Sequence, residues 1–255
     1  MADQTGKHTK CCYTGFKHEG EAQGELTTFA GYDAYVTYPE NRSTERAVVF
    51  LSDVMGHKFV NSQLLADEWA KRGYFVVMPD LFQGDVIQFN DIQTIDFPKW
   101  YSGGYNEKNI PHTPEVVDPI VRDVIRELKE KYGVKKIGGT GHCFGAKYVC
   151  RFLADPENGF QVGYFVHPGS LDYEEVEGVK GPISIGSAEK DPSFPVEKVH
   201  RVQEILLKKG LPFQINFYQG VGHGFSTKGD PNDKVARWAK ENTFEQAVSF
   251  FNAFL

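Results

Sequence analysis

The sequence predicts an α/β protein with a mostly parallel central sheet and helices on both faces. Short continuous apolar runs, such as AVVFLS at 47–52 and YFVVMP at 74–79, are typical of strands that are buried on both faces. These runs alternate along the chain with segments of helical periodicity, which favours parallel strands joined by crossover helices. A length of 255 residues suits one large domain of this class.

The elements follow in order along the chain. Residues 1–23 are polar and contain glycine, so we expect a surface arm, followed by a single domain over 24–255. Residues 24–30 and 32–38 are expected to pair as a hairpin, with antiparallel pairing at this edge of the sheet. Apolar runs predict further strands at 47–52, 74–79, 136–140, 162–167, 183–187 and 213–218. Helical spacing of apolar residues, with glycine after several of the segments, predicts helices at 63–72, 115–132, 144–153, 195–209 and 233–254.

Residues 81–114 fit neither pattern, because glycine and proline recur there among several aromatic residues. A long irregular insert in a compact domain is commonly a lid or a binding loop. Trp100 and Tyr105 are therefore candidates for the lining of a weakly polar substrate pocket. The alternative is an insert that packs on the surface without touching a ligand.

Composition narrows the class of function. The formal net charge of −6 disfavours a nucleic-acid partner, which would need a basic surface. No window is apolar enough for a membrane span, and the first residues lack the apolar core of a secretory signal. The four cysteines have neither CxxC nor zinc-site spacing, so we expect no metal and free thiols in a reducing compartment, the cytoplasm.

The stretch GGTGHCFGAK at 138–147 carries the chemistry. A dinucleotide-binding GxGxxG fails because Phe144 stands where the last glycine is needed. A phosphate-binding loop fails because no Ser or Thr follows the lysine. The pattern that fits is a nucleophile elbow, with Cys143 between Gly141 and Gly145. We therefore expect no nucleotide cofactor.

An elbow needs small flanking residues, because the turn from strand to helix is tight and strains the backbone of the nucleophile. The helix N-terminus favours a thiolate at Cys143, and the backbone N–H of Phe144 is placed to bind an oxyanion. The alternative is a glycine-rich turn that holds a buried structural cysteine.

A nucleophile of this kind needs a base and a carboxylate that orients the base. His223 lies in GVGHGF, after the strand predicted at 213–218, and is the candidate base. Asp191 in AEKDPSFP is the candidate carboxylate, and Glu189 is the alternative. His167 also ends a strand, so it is either a substrate contact or a hydrogen-bonded structural histidine. The order nucleophile, acid, histidine is that of the elbow hydrolases.

These motifs together resemble the dienelactone hydrolase family of α/β-hydrolases. GHCFG is similar to the cysteine elbow of that family, SDVMG at 52–56 to its first loop, and PDLF at 79–82 to a strand end. AEKDP and GHGF resemble its acid and histidine loops. The stretch CCYTGFKHEG near the N-terminus resembles a fungal-type cytosolic branch. The similarity extends over most of residues 24–254 and implies an α/β-hydrolase fold.

The resemblance implies a triad of Cys143, His223 and Asp191, with the N–H groups of Phe144 and Val54 as the oxyanion hole. It also implies that Asp53 occupies the position of a carboxylate, usually Glu, that contacts the resting nucleophile.

Bacterial members of the family bind a substrate carboxylate with two arginines. The matching stretches here, DLFQGDVIQF and GHGFSTKGD, contain no arginine, although Lys228 lies in the second.

Two hypotheses follow. The first is a cofactor-free hydrolase of small esters, enol lactones or thioesters that works through an acyl-enzyme. The second is a small-molecule receptor on the same scaffold, because a fold does not fix a function. The expected state is a monomer or a homodimer.

Overall fold

The computed structural model describes residues 18–89, 91 and 94–255. The strands are β1 (Glu25–Phe29), β2 (Tyr32–Thr37), β3 (Arg46–Leu51), β4 (Phe75–Pro79), β5 (Lys136–His142), β6 (Val162–Val166), β7 (Ile183–Lys190) and β8 (Phe213–Gly222). The helices are α1 (Val60–Lys71), α2 (Phe97–Tyr101), α3 (Pro114–Glu130), α4 (Gly145–Leu153), α5 (Tyr173–Gly178), α6 (Val196–Lys209), α7 (Phe225–Lys228) and α8 (Lys234–Phe254).

All eight strands form one sheet in the order β1-β2-β4-β3-β5-β6-β7-β8. Strands β3 to β8 run parallel to one another, whereas β2 runs antiparallel to both of its neighbours, β1 and β4. The expected α/β-hydrolase architecture is confirmed, including the antiparallel edge. Because the carboxyl ends of β3 to β8 lie along one edge, every loop that follows these strands opens on the same side.

Side chains of the strands alternate between two apolar cores. Val48 packs with Trp69 of α1 and Phe251 of α8 on one face. Val49, the next residue of β3, packs with the apolar stripe of α3 on the other face, where α4 and α6 also lie. This two-residue period explains why the central strands read as continuous apolar runs. None of the helices in the described part of the chain is long and apolar enough to cross a membrane.

The elements differ from the sequence expectation mainly where glycine is frequent. Strand β8 extends to Gly222, four residues beyond the predicted end, because Gly222 pairs with Lys190 at the end of β7. Strand β7 is longer for the same reason. The short helices α5 and α7 were not predicted, since six and four residues are too few to show a helical period.

The insert between β4 and α3 is held together by Asp85. The backbone oxygen of Asp85 accepts a hydrogen bond from Trp100 Nε1 at 2.8 Å, and its carboxylate binds His112 Nε2 at 3.0 Å. Trp100 is 1% exposed, whereas Tyr105 is 45% exposed. The part of the insert around Trp100 therefore packs onto the domain, and α2 is the insert's only helix among the described residues.

The described end of the N-terminal arm lies against α1. The His18 N–H donates to Asn61 Oδ1 and the Gln23 N–H donates to Asp67 Oδ2, both at 2.8 Å. Residues 1–17 of the predicted arm, with Cys11 and Cys12, lie outside the described residues.

Candidate active site

Cys143, Asp191 and His223 lie at one edge of the sheet. Cys143 directly follows β5, Asp191 directly follows β7 and His223 directly follows β8. All three strands are parallel, so their carboxyl ends meet on the side where α/β folds bind ligands. The residues are 2%, 3% and 4% exposed, respectively.

The turn at Cys143 has the strained backbone expected of an elbow. Its φ is +51°, a conformation that non-glycine residues rarely adopt. A Cβ on Gly145 would lie 2.1 Å from the backbone oxygen of Leu51, and a Cβ on Gly141 would lie 2.7 Å from the oxygen of Gly145. Glycine is therefore required at both flanking positions. The Gly169 N–H donates to the Cys143 oxygen at 3.0 Å and holds the turn against the loop after β6.

Asp191 orients the imidazole of His223. Its Oδ2 is 2.9 Å from His223 Nδ1, and its Oδ1 accepts from the N–H groups of Ser193 and Phe194 at 3.0 and 3.1 Å. A neutral histidine donates to a carboxylate, so the proton is assigned to Nδ1 and Nε2 remains the basic nitrogen. Glu189, the alternative carboxylate, is exposed and accepts from the Gly220 N–H instead.

Phe144 and Val54 follow neighbouring strands. Leu51 of β3 pairs with Gly141 of β5, so Val54 and Phe144 each lie three residues beyond this pair. Phe144 immediately precedes α4, where backbone N–H groups are not used within the helix. Its ring packs against Phe82 with centroids 4.8 Å apart. The loops that carry the two expected oxyanion donors are thus adjacent.

Asp53 forms a buried ion pair behind these loops. Its Oδ2 is 3.1 Å from Lys228 Nζ and 3.0 Å from Thr227 Oγ1, and its Oδ1 accepts from the Met55 N–H at 3.0 Å. Burial by itself would raise the pKa of Asp53, but the Lys228 ammonium and the three hydrogen bonds hold it below its ordinary value. The resemblance implies a contact between Asp53 and the nucleophile, whereas the side chains bonded to Asp53 here, those of Thr227 and Lys228, come from α7.

Comparison with known proteins identifies the group to which this arrangement belongs. A family model described as the dienelactone hydrolase family matches residues 32–255. The chain belongs to the dienelactone hydrolase family. The resemblance found in the sequence is therefore confirmed, and the chain is a hydrolase that acts on ester bonds.

Fungal proteins are among the relatives of this dienelactone hydrolase family member. It is 46% identical to the hydrolase tropI of Talaromyces stipitatus over 245 residues, which cover 96% of each chain. It is 42% identical to the hydrolase pyvD of Aspergillus violaceofuscus over 247 residues, or 97% of each chain. A dienelactone hydrolase from Anabaena variabilis has the same fold, with a TM-score of 0.63 at 11% identity over 93% of this chain and all of the other.

Three further polar residues of this family member lie beside the candidate triad. Ser226 Oγ is 2.8 Å from His142 Nδ1 and 2.6 Å from His167 Nε2. The ring of His167 lies against that of His223, with centroids 5.0 Å apart. The sequence singled out His167 but not His142 or Ser226, although a histidine inside the apolar strand before the elbow was a visible signal. Burial lowers the pKa of His142 to about 3 and that of His167 well below its ordinary value.

The two aromatic residues suggested for the substrate pocket of this family member have different environments. The ring of Trp100 packs 6.0 Å from that of Phe144 and is buried. Tyr105 lies at the surface, where Lys99 Nζ is 4.3 Å from its ring centroid. Within the described ranges, no group of three or more His, Cys, Asp or Glu side chains is arranged to hold a metal ion.

Proposed function

We propose that this protein hydrolyses small esters, enol lactones or thioesters through Cys143, His223 and Asp191, without a cofactor. The observation that carries the proposal is the 2.9 Å bond between His223 Nδ1 and Asp191 Oδ2, at the sheet edge where Cys143 adopts its strained φ. Acyl transfer uses a nucleophile on a tight strand-to-helix turn together with a histidine that a carboxylate orients, and both parts are present at this sheet edge. The family supports the same class of reaction.

The proposed reaction has two steps. His223 Nε2 takes the proton of the Cys143 thiol, and the thiolate attacks the carbonyl carbon. The N–H groups of Phe144 and Val54 stabilise the negative oxygen of the tetrahedral intermediate. The bond between the carbonyl carbon and the leaving atom then breaks; this atom is an oxygen in an ester or lactone and a sulfur in a thioester. His223 gives its proton to the leaving atom. Water, deprotonated by His223, then attacks the acyl-thioester, which releases the acid and restores the thiol.

The substrate is proposed to carry no carboxylate near the scissile bond. The stretches that match the arginine-bearing segments of bacterial relatives contain no arginine here. The one cation in the second stretch, Lys228, is already paired with Asp53 at 3.1 Å in a buried position. Recruiting Lys228 to a substrate carboxylate would leave the Asp53 carboxylate unpaired, which costs several kcal/mol.

The test compares the wild type with Cys143→Ala and with Cys150→Ala as a matched control. Cys150 is the other buried cysteine of the described residues, and burial raises the pKa of its thiol, which makes it a poor nucleophile. We expect Cys150→Ala to keep wild-type turnover of a short-chain chromogenic ester within a few fold, whereas Cys143→Ala falls to background.

Mass spectrometry of the quenched wild-type reaction would detect the acyl group on Cys143. Full activity of Cys143→Ala would reject the nucleophile. Tight binding of the ester by a wild type that does not turn it over would favour the receptor hypothesis instead.

A further inference from the structure

A buried polar cluster lies next to the proposed triad but has no role in the two-step mechanism. It consists of His142 at the end of β5, His167 after β6, and Ser226 in α7. Ser226 Oγ bridges the two rings, 2.8 Å from His142 Nδ1 and 2.6 Å from His167 Nε2. All three residues are almost completely shielded from solvent. Buried polar groups need hydrogen-bond partners, so the contacts within this cluster restrict where the protons of the imidazoles and the hydroxyl lie.

The number of available protons limits which hydrogen bonds can form between Ser226 and the two imidazoles. Burial keeps the pKa values of both rings low, so near neutral pH each ring carries one N–H. The Ser226 hydroxyl has one hydrogen and cannot donate to both rings. At least one of the two rings therefore donates to Ser226.

The surroundings of the outer nitrogens decide where the proton of His167 lies. Neither His142 Nε2 nor His167 Nδ1 has a hydrogen-bond partner in the described part of the chain. His142 and Ser226 both line a cavity of about 10 Å³, which is room for about one water molecule, whereas His167 does not line it. An orphaned buried N–H is rarer than an unfilled acceptor. A proton on His167 Nδ1 would be orphaned, so the proton of His167 is assigned to Nε2, facing Ser226.

The ring of His167 packs against the ring of His223, the proposed base. Its ring centroid is 5.0 Å from that of His223, with the planes inclined by 59°. The backbone of His167 has φ +38°, and its N–H donates to the Gly186 oxygen at 3.0 Å. Phe225 packs edge-on against the same ring at 5.6 Å. The His167 ring is thus held in one place, with its orientation about the side-chain bonds set by Ser226.

We propose that Ser226 is a positioning residue of the ester-hydrolysis site, which accepts a hydrogen bond from His167 Nε2–H so that the His167 ring fixes the orientation of His223. The inference rests on the proposed function for the role of His223. It extends that function to a serine that does not touch the reacting atoms in the proposed mechanism.

The kinetic test uses Ser226→Ala, with Ser226→Thr as the conservative variant. Loss of the hydroxyl is expected to lower kcat about 10- to 100-fold, the effect of a small misplacement of a catalytic group, with KM within about 3-fold of the wild type. Threonine retains the hydroxyl and should recover most of kcat. Ser62→Ala is the matched control, because Ser62 is equally buried but its Oγ has no hydrogen-bond partner among the described residues. It should keep the wild-type kcat.

A second readout does not depend on turnover. Long-range ¹H–¹⁵N spectra of the imidazoles, assigned with single His variants, should show His167 as the Nε2–H tautomer in the wild type and a changed pattern in Ser226→Ala. An Nδ1–H tautomer of His167 in the wild type, or an unchanged kcat in Ser226→Ala, would overturn the inference while leaving a Cys143-dependent reaction intact. An active Cys143→Ala would instead reject the proposed function, and the tautomers would still be measurable.

Discussion

His142 should make the protein sensitive to mild acid. The unfolded chain binds a proton at the histidine with a pKa of about 6.5, whereas burial lowers the pKa of folded His142 to about 3. The stability contributed by the neutral ring is therefore complete above the unfolded pKa and is lost as the pH falls from about 6.5 towards 3. A pH of 5 lies about 1.5 units below the unfolded pKa and still above the folded one. At that pH this one residue lowers the free energy of unfolding by about 2 kcal/mol relative to neutral pH.

The assay is urea unfolding of the wild type and of His142→Asn at pH 8, 7, 6 and 5, followed by tryptophan fluorescence. Asparagine can keep a hydrogen-bonding group near the Nδ1 position but does not titrate. We expect the deficit of the variant relative to the wild type to shrink by about 2 kcal/mol between pH 8 and pH 5. Ser62→Ala, which removes no titratable group from an equally buried site, should show a deficit that does not change with pH. A deficit for His142→Asn that stays constant with pH would refute the reasoning.

Three further outcomes follow from the site. Asp191→Asn should lower kcat on the order of 10³- to 10⁴-fold by removing the carboxylate that selects the His223 tautomer, while Glu189→Gln, at an exposed residue, should stay within a few fold; steady-state kinetics decides. Gly145→Ala should destabilise the fold by about 1–3 kcal/mol in thermal unfolding, because the added Cβ would lie 2.1 Å from a backbone oxygen. Gly178→Ala is the control and should have little effect, because the nearest atom to its added Cβ is 3.8 Å away. Lys228→Met should cost about 3–5 kcal/mol in urea unfolding, because it leaves a buried carboxylate unpaired, and a loss below about 1 kcal/mol would contradict the ion pair.

The elbow could be predicted because its signal is local. The spacing of Gly141, Cys143 and Gly145 encodes a backbone shape, and the structure shows the close contacts that make both glycines necessary. The buried strands were predictable for a similar reason, since five consecutive apolar residues between turn signals favour a strand that is covered by a layer on each face. Family membership and fold class followed from these local patterns.

Other features depend on contacts between distant segments and left no local pattern. Ser226 lies in a four-residue helix, and its partners are 59 and 84 residues away in sequence. The burial of Trp100 and the exposure of Tyr105, both in the insert, could not be predicted from the sequence either. Both are aromatic residues of one segment, but only Trp100 is buried, because its indole N–H finds the backbone oxygen of Asp85. The sequence shows that the insert is rich in aromatic residues, but it does not show which of their rings is buried.

The ion pair of Asp53 bears on which residue activates the nucleophile. A carboxylate that takes a thiol proton needs an oxygen with spare acceptor capacity and a pKa that is not depressed. Asp53 has a low pKa, and its two oxygens are bound by the Met55 N–H, the Thr227 hydroxyl and the Lys228 ammonium. A carboxylate held in this way is a poor base. In the proposed mechanism the thiol proton therefore goes to His223, and Asp53 acts through Lys228 by anchoring α7, the helix that also carries Ser226.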